Sequence, residues 1–195
     1  MEALLISTGI VAIAEIGDKT QLLALCLAAR YRKPLPIIPG ILAATAANHL
    51  LAAWLGALVA GWMGPEILRW VLGVSFILMA GWILVPDKIE SDQDAAERAG
   101  VFLTTLVAFF LVEIGDKTQI ATIALAARFD DIVTVTAGTT LGMMLANVPV
   151  VFLGDVAAKK IPLALVRIVA ALIFAALGAV ALLNLSGRLS GVLSF

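Results

Sequence analysis

The fold class predicted for this chain is an all-α membrane protein, six transmembrane helices built as two inverted three-helix repeats, and three observations carry the prediction. First, 62% of the 195 residues are apolar and 14% charged, with a mean hydropathy of +1.08; soluble domains hold about 45–50% apolar residues. Second, the apolar residues gather into six windows, each close to the roughly 20 residues a spanning helix needs, leaving no length for an extramembrane domain. Third, a stretch in the first window recurs in the fourth.

In order, the windows lie near 4–29, 36–62, 67–85, 101–127, 132–157 and 163–185, with boundaries good to about 2–4 residues. Arg30-Tyr31-Arg32-Lys33-Pro34 closes the first, and Gly64-Pro65-Glu66 separates the second from the third. Lys159-Lys160-Ile161-Pro162 separates the fifth from the sixth. The segment 86–99 is the single long polar linker, and its acids Asp87, Glu90, Asp92, Asp94 and Glu97 outnumber Lys88 and Arg98. The chain therefore divides into a first repeat at 1–85, an acidic cytoplasmic linker at 86–99 and a second, inverted repeat at 100–195. Met1-Glu2-Ala3-Leu4 carries no positive leader, so the first window is expected to be a span of the mature protein and not a cleaved signal.

Orientation follows from the cytoplasmic bias of Lys and Arg. With both termini outside, Arg30, Arg32, Lys33, Lys88, Arg98, Lys159 and Lys160 fall in cytoplasmic loops, against Arg128 and Arg188 outside. N-out and C-out is the expectation. Arg69 and Arg167, just inside span ends, are expected to snorkel one toward each face. A formal net charge of −1 offers nothing to nucleic acid, and one cysteine, Cys26, excludes a disulfide framework or a multi-cysteine metal site.

The repeat is the strongest feature. Glu15-Ile16-Gly17-Asp18-Lys19-Thr20-Gln21 returns as Glu113-Ile114-Gly115-Asp116-Lys117-Thr118-Gln119, and the match extends from Ala28-Ala29-Arg30 to Ala126-Ala127-Arg128. At the same offset Gly40 pairs with Gly138, Arg69 with Arg167 and Phe76 with Phe174; Ala47-Asn48 pairs with Ala146-Asn147 after a one-residue slip. Three spans per unit is odd, so the second unit enters the membrane upside down. Secondary transporters are commonly built so, with substrate at the midplane where the repeats meet.

Both copies place ionisable residues mid-span, where each ionised group costs about 2.5–3.5 kcal/mol against lipid, so they must face inward and find partners. On an unbroken helix Glu15 and Asp18 share a face, as do Glu113 and Asp116, with Gln21 and Gln119 one turn further. Thr20 falls on another face unless Gly17 unwinds the helix, and Gly115 offers the same break, which would free backbone carbonyls. Inverted symmetry sets the two motifs against each other: four carboxylates with Lys19 and Lys117 as charge-balancing partners leave −2, which one divalent cation or two protons neutralise. Oxygen ligands select hard cations such as Mn2+, Ca2+ or Mg2+. The candidate metal residues are Glu15, Asp18, Gln21, Glu113, Asp116 and Gln119, with Asn48 and Asn147 as further amide oxygens. His49 has Val148 as its repeat partner and reads as an interior hydrogen-bonded histidine, with proton relay or metal ligation the other reading. Asp155 reads as interfacial and Pro149 as a kink in the fifth span.

The two E-x-G-D-K-T stretches, Glu15 to Thr20 and Glu113 to Thr118, resemble the paired E-x-G-D-[KR]-[TS] signature of the membrane family that includes MneA-like bacterial manganese exporters and the eukaryotic Golgi calcium/manganese transporters. The resemblance covers nearly the whole chain and shows no departure within the motifs. It implies divalent cation transport in exchange for protons, with Glu15, Asp18, Glu113 and Asp116 as the ion-binding carboxylates. The compact length implies a bacterial cytoplasmic-membrane exporter of Mn2+, with Ca2+ the other candidate. The expected partners are the metal-ion substrate and the lipid bilayer, with a homo-oligomer open, and no resident cofactor. An uncoupled cation channel uses the same acidic rings and is the alternative. An intramembrane aspartyl protease needs Gly where Glu15 and Glu113 stand, so no enzyme is expected; an exporter of organic solutes would want fewer carboxylates.

Overall fold

The computed structural model describes residues 1–63, 65–84, 100–153 and 163–183, and every regular element among them is helical. There are eight helices in these segments: α1 (Glu2–Glu15), α2 (Lys19–Tyr31), α3 (Pro34–Trp62), α4 (Pro65–Ile83), α5 (Gly100–Glu113), α6 (Lys117–Phe129), α7 (Ile132–Leu153) and α8 (Leu163–Leu183). The linker 86–99 with its acids, Asp155, Lys159, Lys160, Arg188 and the side chain of Arg167 lie outside the described residues.

The first and fourth windows are each two helices, not one. Gly17 and Gly115 adopt φ of 83° and 74°, a region that costs an L-residue about 1–2 kcal/mol and glycine almost nothing. Asp18 and Asp116 then turn extended, at ψ 170° and 164°, and stand as the N-caps of α2 and α6. At 13 or 14 residues, each half-helix is roughly 20 Å long, well short of a hydrocarbon core of about 30 Å. Two helices among the described residues are long and apolar enough to cross a bilayer unaided, Pro34–Trp62 and Ile132–Phe152. The far ends of α2 and α6 also match: Arg32 and Asp130, at φ 50° and 51°, each donate a backbone N–H to a carbonyl four residues back, Ala28 and Ala126, at 2.9 Å. Pro39 and Pro149 sit inside α3 and α7 without ending either helix.

The halves interlock by exchange. Helix α1 packs on α7, and α5 packs on α3. Glycine permits both approaches: a Cβ at Gly138 would fall 2.7 Å from Leu4 O, and one at Gly40 2.9 Å from Phe102 O. Helices α4 and α8 run antiparallel, since Gly73 lies against Leu182 and Gly178 while Phe76 meets Phe174 edge to face, centroids 5.9 Å apart. Phe76 and Phe174 are repeat partners, so equivalent residues of the two halves touch.

The usual polarity of a folded chain is turned round. Leu50, Leu51, Trp54 and Trp62 of α3, Leu141, Leu145 and Phe152 of α7, and Leu103 and Leu111 of α5 point outward, while Glu15, Asp18, His49, Glu113, Asp116 and Lys117 are buried. Such an exterior suits hydrocarbon as its solvent. Two buried apolar clusters, one around Leu72, Phe76, Leu125 and Phe174 and the other around Leu27, Ile41 and Phe109, flank this polar interior.

Candidate metal centre

Each break brings a helix C-terminus and a helix N-terminus to one place. In the tight turns the Asp18 N–H donates to Glu15 O, and the Asp116 N–H to Glu113 O, both at 3.0 Å. Glu15 is therefore the last residue of one helix and Asp18 the cap of the next. The N-terminal ends of α2 and α6, which carry positive partial charge, lie beside the carboxylates of Asp18 and Asp116. The glutamines brace the breaks: Gln21 Oε1 accepts from the Gly17 N–H at 2.8 Å and Gln119 Oε1 from the Gly115 N–H at 2.7 Å. Gln21 also reaches the other half, donating from Nε2 to Ala146 O at 3.1 Å.

Three carboxylates converge. One oxygen from each of Glu15, Asp18 and Asp116 lies within 4.8 Å of the others, and all three residues are buried. The lysines cross between motifs: Lys117 Nζ is 2.7 Å from Asp18 Oδ1, and Lys19 Nζ is 3.0 Å from Asp116 Oδ1. Each motif's cation thus balances the other motif's aspartate. Glu15 Oε1 accepts from the Thr20 hydroxyl and from Asn147 Nδ2, the latter at 3.0 Å. Its Oε2, and Asn147 Oδ1, are buried with no hydrogen-bond partner among the described residues. Asp116 Oδ2 accepts from the backbone N–H and hydroxyl of Thr118, at 3.3 and 3.2 Å.

Glu113 stands apart from that trio. Its Oε1 accepts from Thr45 Oγ1 at 3.1 Å and its Oε2 from Asn48 Nδ2 at 3.0 Å. His49 is wholly buried, its Nε2 3.6 Å from Glu113 Oε1, and neither ring nitrogen has a hydrogen bond among the described residues. The interior hydrogen-bonded histidine expected from sequence is thus interior, but it abuts a carboxylate without a formed hydrogen bond.

Of the residues singled out from sequence, Glu15, Asp18, Asp116, Lys19, Lys117 and Asn147 come together around one point. Glu113 and Asn48 form a neighbouring group, and the glutamines close the helix breaks. Sequence reasoning did not select Thr20, Thr118 or Thr45. The first two were visible as the sixth residue of each repeated motif, and Gly17 was the stated condition for Thr20; Thr45 had no signal, because the second half carries methionine, Met143 or Met144, in its place.

An all-helical chain with an apolar exterior, a buried knot of carboxylates and lysines to offset their charge has the build of a membrane protein that handles cations. The sequence assigns it more closely: it matches the profile of the GDT1 family, described as the divalent cation/proton antiporter GDT1, over residues 3–91 and 101–188, and the chain belongs to that family. It is 58% identical to a Vibrio cholerae protein named "Putative manganese exporter" over 175 residues, 89% of this chain and 87% of that one. A GDT1-like protein of Synechocystis is 28% identical over 185 residues, 85% of this chain and 89% of its own. GDT1-like protein 4 of Oryza sativa subsp. indica is 28% identical over 200 residues, 89% and 70% of the two chains. No solved structure is significantly similar. The family is one of cation transporters and not of enzymes, and the protein is a membrane protein.

Proposed function

We propose that this chain exports Mn2+ across the bacterial cytoplasmic membrane in exchange for protons, as six spans in two inverted repeats with both termini outside. In this reading the half-helix pairs α1–α2 and α5–α6 each count as one discontinuous span. The convergence of Glu15, Asp18 and Asp116 between the two breaks carries the proposal, because three buried carboxylates crossed by two lysines make an oxygen site one divalent ion can fill. Glu15 Oε2 and Asn147 Oδ1 supply further acceptors. Glu113 supplies the fourth negative charge beside the site, and Asn48 and Thr45 orient it. The glutamines brace the breaks through their bonds to the Gly17 and Gly115 N–H groups.

With all six ionised groups counted, the site and its neighbour carry −2. A divalent ion or two protons each bring that to zero, so metal and protons compete for the same oxygens, and either load lets the carrier cross in a nearly neutral state. Mn2+ and Ca2+ both suit hard oxygen ligands; the name of the 58% identical relative favours Mn2+.

The test is Mn2+ uptake into everted membrane vesicles with an imposed pH gradient. Uptake should rise with the gradient and collapse with a protonophore, whereas an uncoupled channel would be indifferent to both. Glu15→Gln and Asp116→Asn should each lower uptake by about tenfold or more, as expected when one charged ligand worth at least 1.4 kcal/mol is removed. Full activity in either variant would refute the site.

A further inference from the structure

His49 lies beside the carboxylates without a part in the transport proposed above. It is the single histidine of the chain and is wholly buried, and neither of its ring nitrogens has a hydrogen bond among the described residues. Buried polar groups are nearly always paired, and a dry imidazole without a partner leaves both a donor and an acceptor unmet. Its surroundings point one way. Asn48 and His49 follow Thr45 by three and four residues on α3, the spacing of one helix face, and all three lie against Glu113. Thr45 Oγ1 is 3.1 Å from Oε1, Asn48 Nδ2 is 3.0 Å from Oε2, and His49 Nε2 is 3.6 Å from Oε1.

A separation of 3.6 Å is too long for a hydrogen bond but suits two ligands of one ion: atoms bonded at about 2.0–2.2 Å stand about 2.8–3.6 Å apart at octahedral to tetrahedral angles. A neutral imidazole binds metal through its ring lone pair, and Oε1, with two lone pairs, can accept from Thr45 and still bind an ion. We propose that His49 Nε2 and Glu113 Oε1 form a nitrogen–oxygen subsite for the transported ion, adjoining the three-carboxylate site, and that this nitrogen selects Mn2+ against Ca2+. One tight turn separates the two, since Asp116, the cap of α6, donates its N–H to Glu113 O at 3.0 Å. Ca2+ is held by oxygen at about 2.3–2.6 Å, whereas imidazole is a ligand of the first-row transition ions, among which Mn2+ binds least tightly. The preference is therefore one of ligand type and not of tight binding, which suits an ion that must be released. Val148 stands in the place of His49 in the second half and has no ligand atom, so the repeat supplies this nitrogen once. The inference rests on the transport reading above and names the residue in it that chooses the ion.

The experiment uses the full-length protein without a histidine tag, grown on ordinary or heavy-nitrogen histidine, loaded with Mn2+ and freed of excess ion. Pulsed electron paramagnetic resonance of the bound Mn2+ should show a nitrogen coupling that changes with the label; with one histidine in the chain, such a coupling comes from His49 alone. An equal concentration of Ca2+ should leave most of that Mn2+ in place. Bound Mn2+ with no label-dependent coupling would overturn the proposal and leave the three-carboxylate site standing, whereas no bound Mn2+ at all would refute both. Displacement by equal Ca2+ would overturn the selectivity. His49→Gln offers oxygen in place of nitrogen. It should lose the coupling and lower the preference for Mn2+ over Ca2+, read by competition, about tenfold or more, since loss of even a residue behind a ligand costs about 10–100-fold in affinity. Affinities for the two ions that fall together, or an unchanged preference, would make His49 a packing residue. If His49→Gln fails to fold, the labelled wild type and its Ca2+ competition decide the matter.

Discussion

Thr20 and Glu15 show how a single hydroxyl sets the character of the site. The Thr20 hydroxyl and Asn147 amide both donate to one oxygen of Glu15, and the other oxygen is buried with no hydrogen bond among the described residues, which is the acceptor the proposed site would offer an ion. A hydrogen bond to a charged group is worth about 1.5–3 kcal/mol. Thr20→Val should therefore weaken Mn2+ binding by about tenfold or more, read as the half-saturating concentration in vesicle uptake, with Thr20→Ser restoring most of it. An unchanged value in Thr20→Val would mean that the hydroxyl only packs. The crossed lysines act at the same scale. Lys117 is buried against Asp18, where an unpaired charge would be costly, and Lys19, whose side chain is 24% exposed against Asp116, is the more easily solvated of the two. An ammonium cannot ligate a cation, so both serve to lower the net charge that the carboxylates concentrate.

At the scale of the element, the half-helices depend on two glycines and on what closes the gap they make. Gly17 and Gly115 hold positive φ, so Gly17→Ala or Gly115→Ala should each cost about 1–2 kcal/mol, seen as a lower melting temperature in detergent together with reduced transport. Gly81→Ala is the control: it lies within α4 with open space around its Cβ position, and alanine there should be neutral or stabilising by up to about 1 kcal/mol. If all three variants melted alike, the breaks would not be strained positions. Gln21 and Gln119 belong to this scale too. On an unbroken helix they sit one turn beyond the aspartates, the spacing that makes them ligand candidates. The break moves the Gly17 and Gly115 N–H groups within their reach instead.

Across the whole molecule, the site exists only because the halves exchange helices. Gly138 admits α1 to α7 and Gly40 admits α5 to α3, and through these contacts Asn147 meets Glu15 while Asn48 meets Glu113. Gly138→Val should push α1 away from α7, against backbone atoms that cannot yield, and Gly40→Val should do the same for α5. Each is expected to destabilise by about 1–3 kcal/mol, as overpacking does, with transport lost in parallel with thermal stability. A Gly138→Val protein with wild-type melting and uptake would mean the helices can pack further apart without disturbing the carboxylates. The exchange also places Glu113 differently from Glu15. The heptapeptides are identical, but Thr45 and His49 of α3 surround one glutamate, where α7 presents methionine and Val148 to the other half of the alignment.

Much of this was legible along the chain. The all-helical class, the duplication and the residue types of the site follow from composition and from a motif written twice, since hydrophobic windows and buried acids are properties that one-dimensional order preserves. Their arrangement was not. Sequence spacing assumes a continuous helix, and a glycine with positive φ invalidates that spacing at the point where the chemistry lies. Nor can spacing tell that Lys117 pairs with Asp18 and Lys19 with Asp116, because those partners are nearly a hundred residues apart and meet only when the halves interlock. The residues of the site were thus written in the chain, while the convergence of three carboxylates and the separate setting of Glu113 arose from packing, where neighbours distant in sequence determine what each charge encounters.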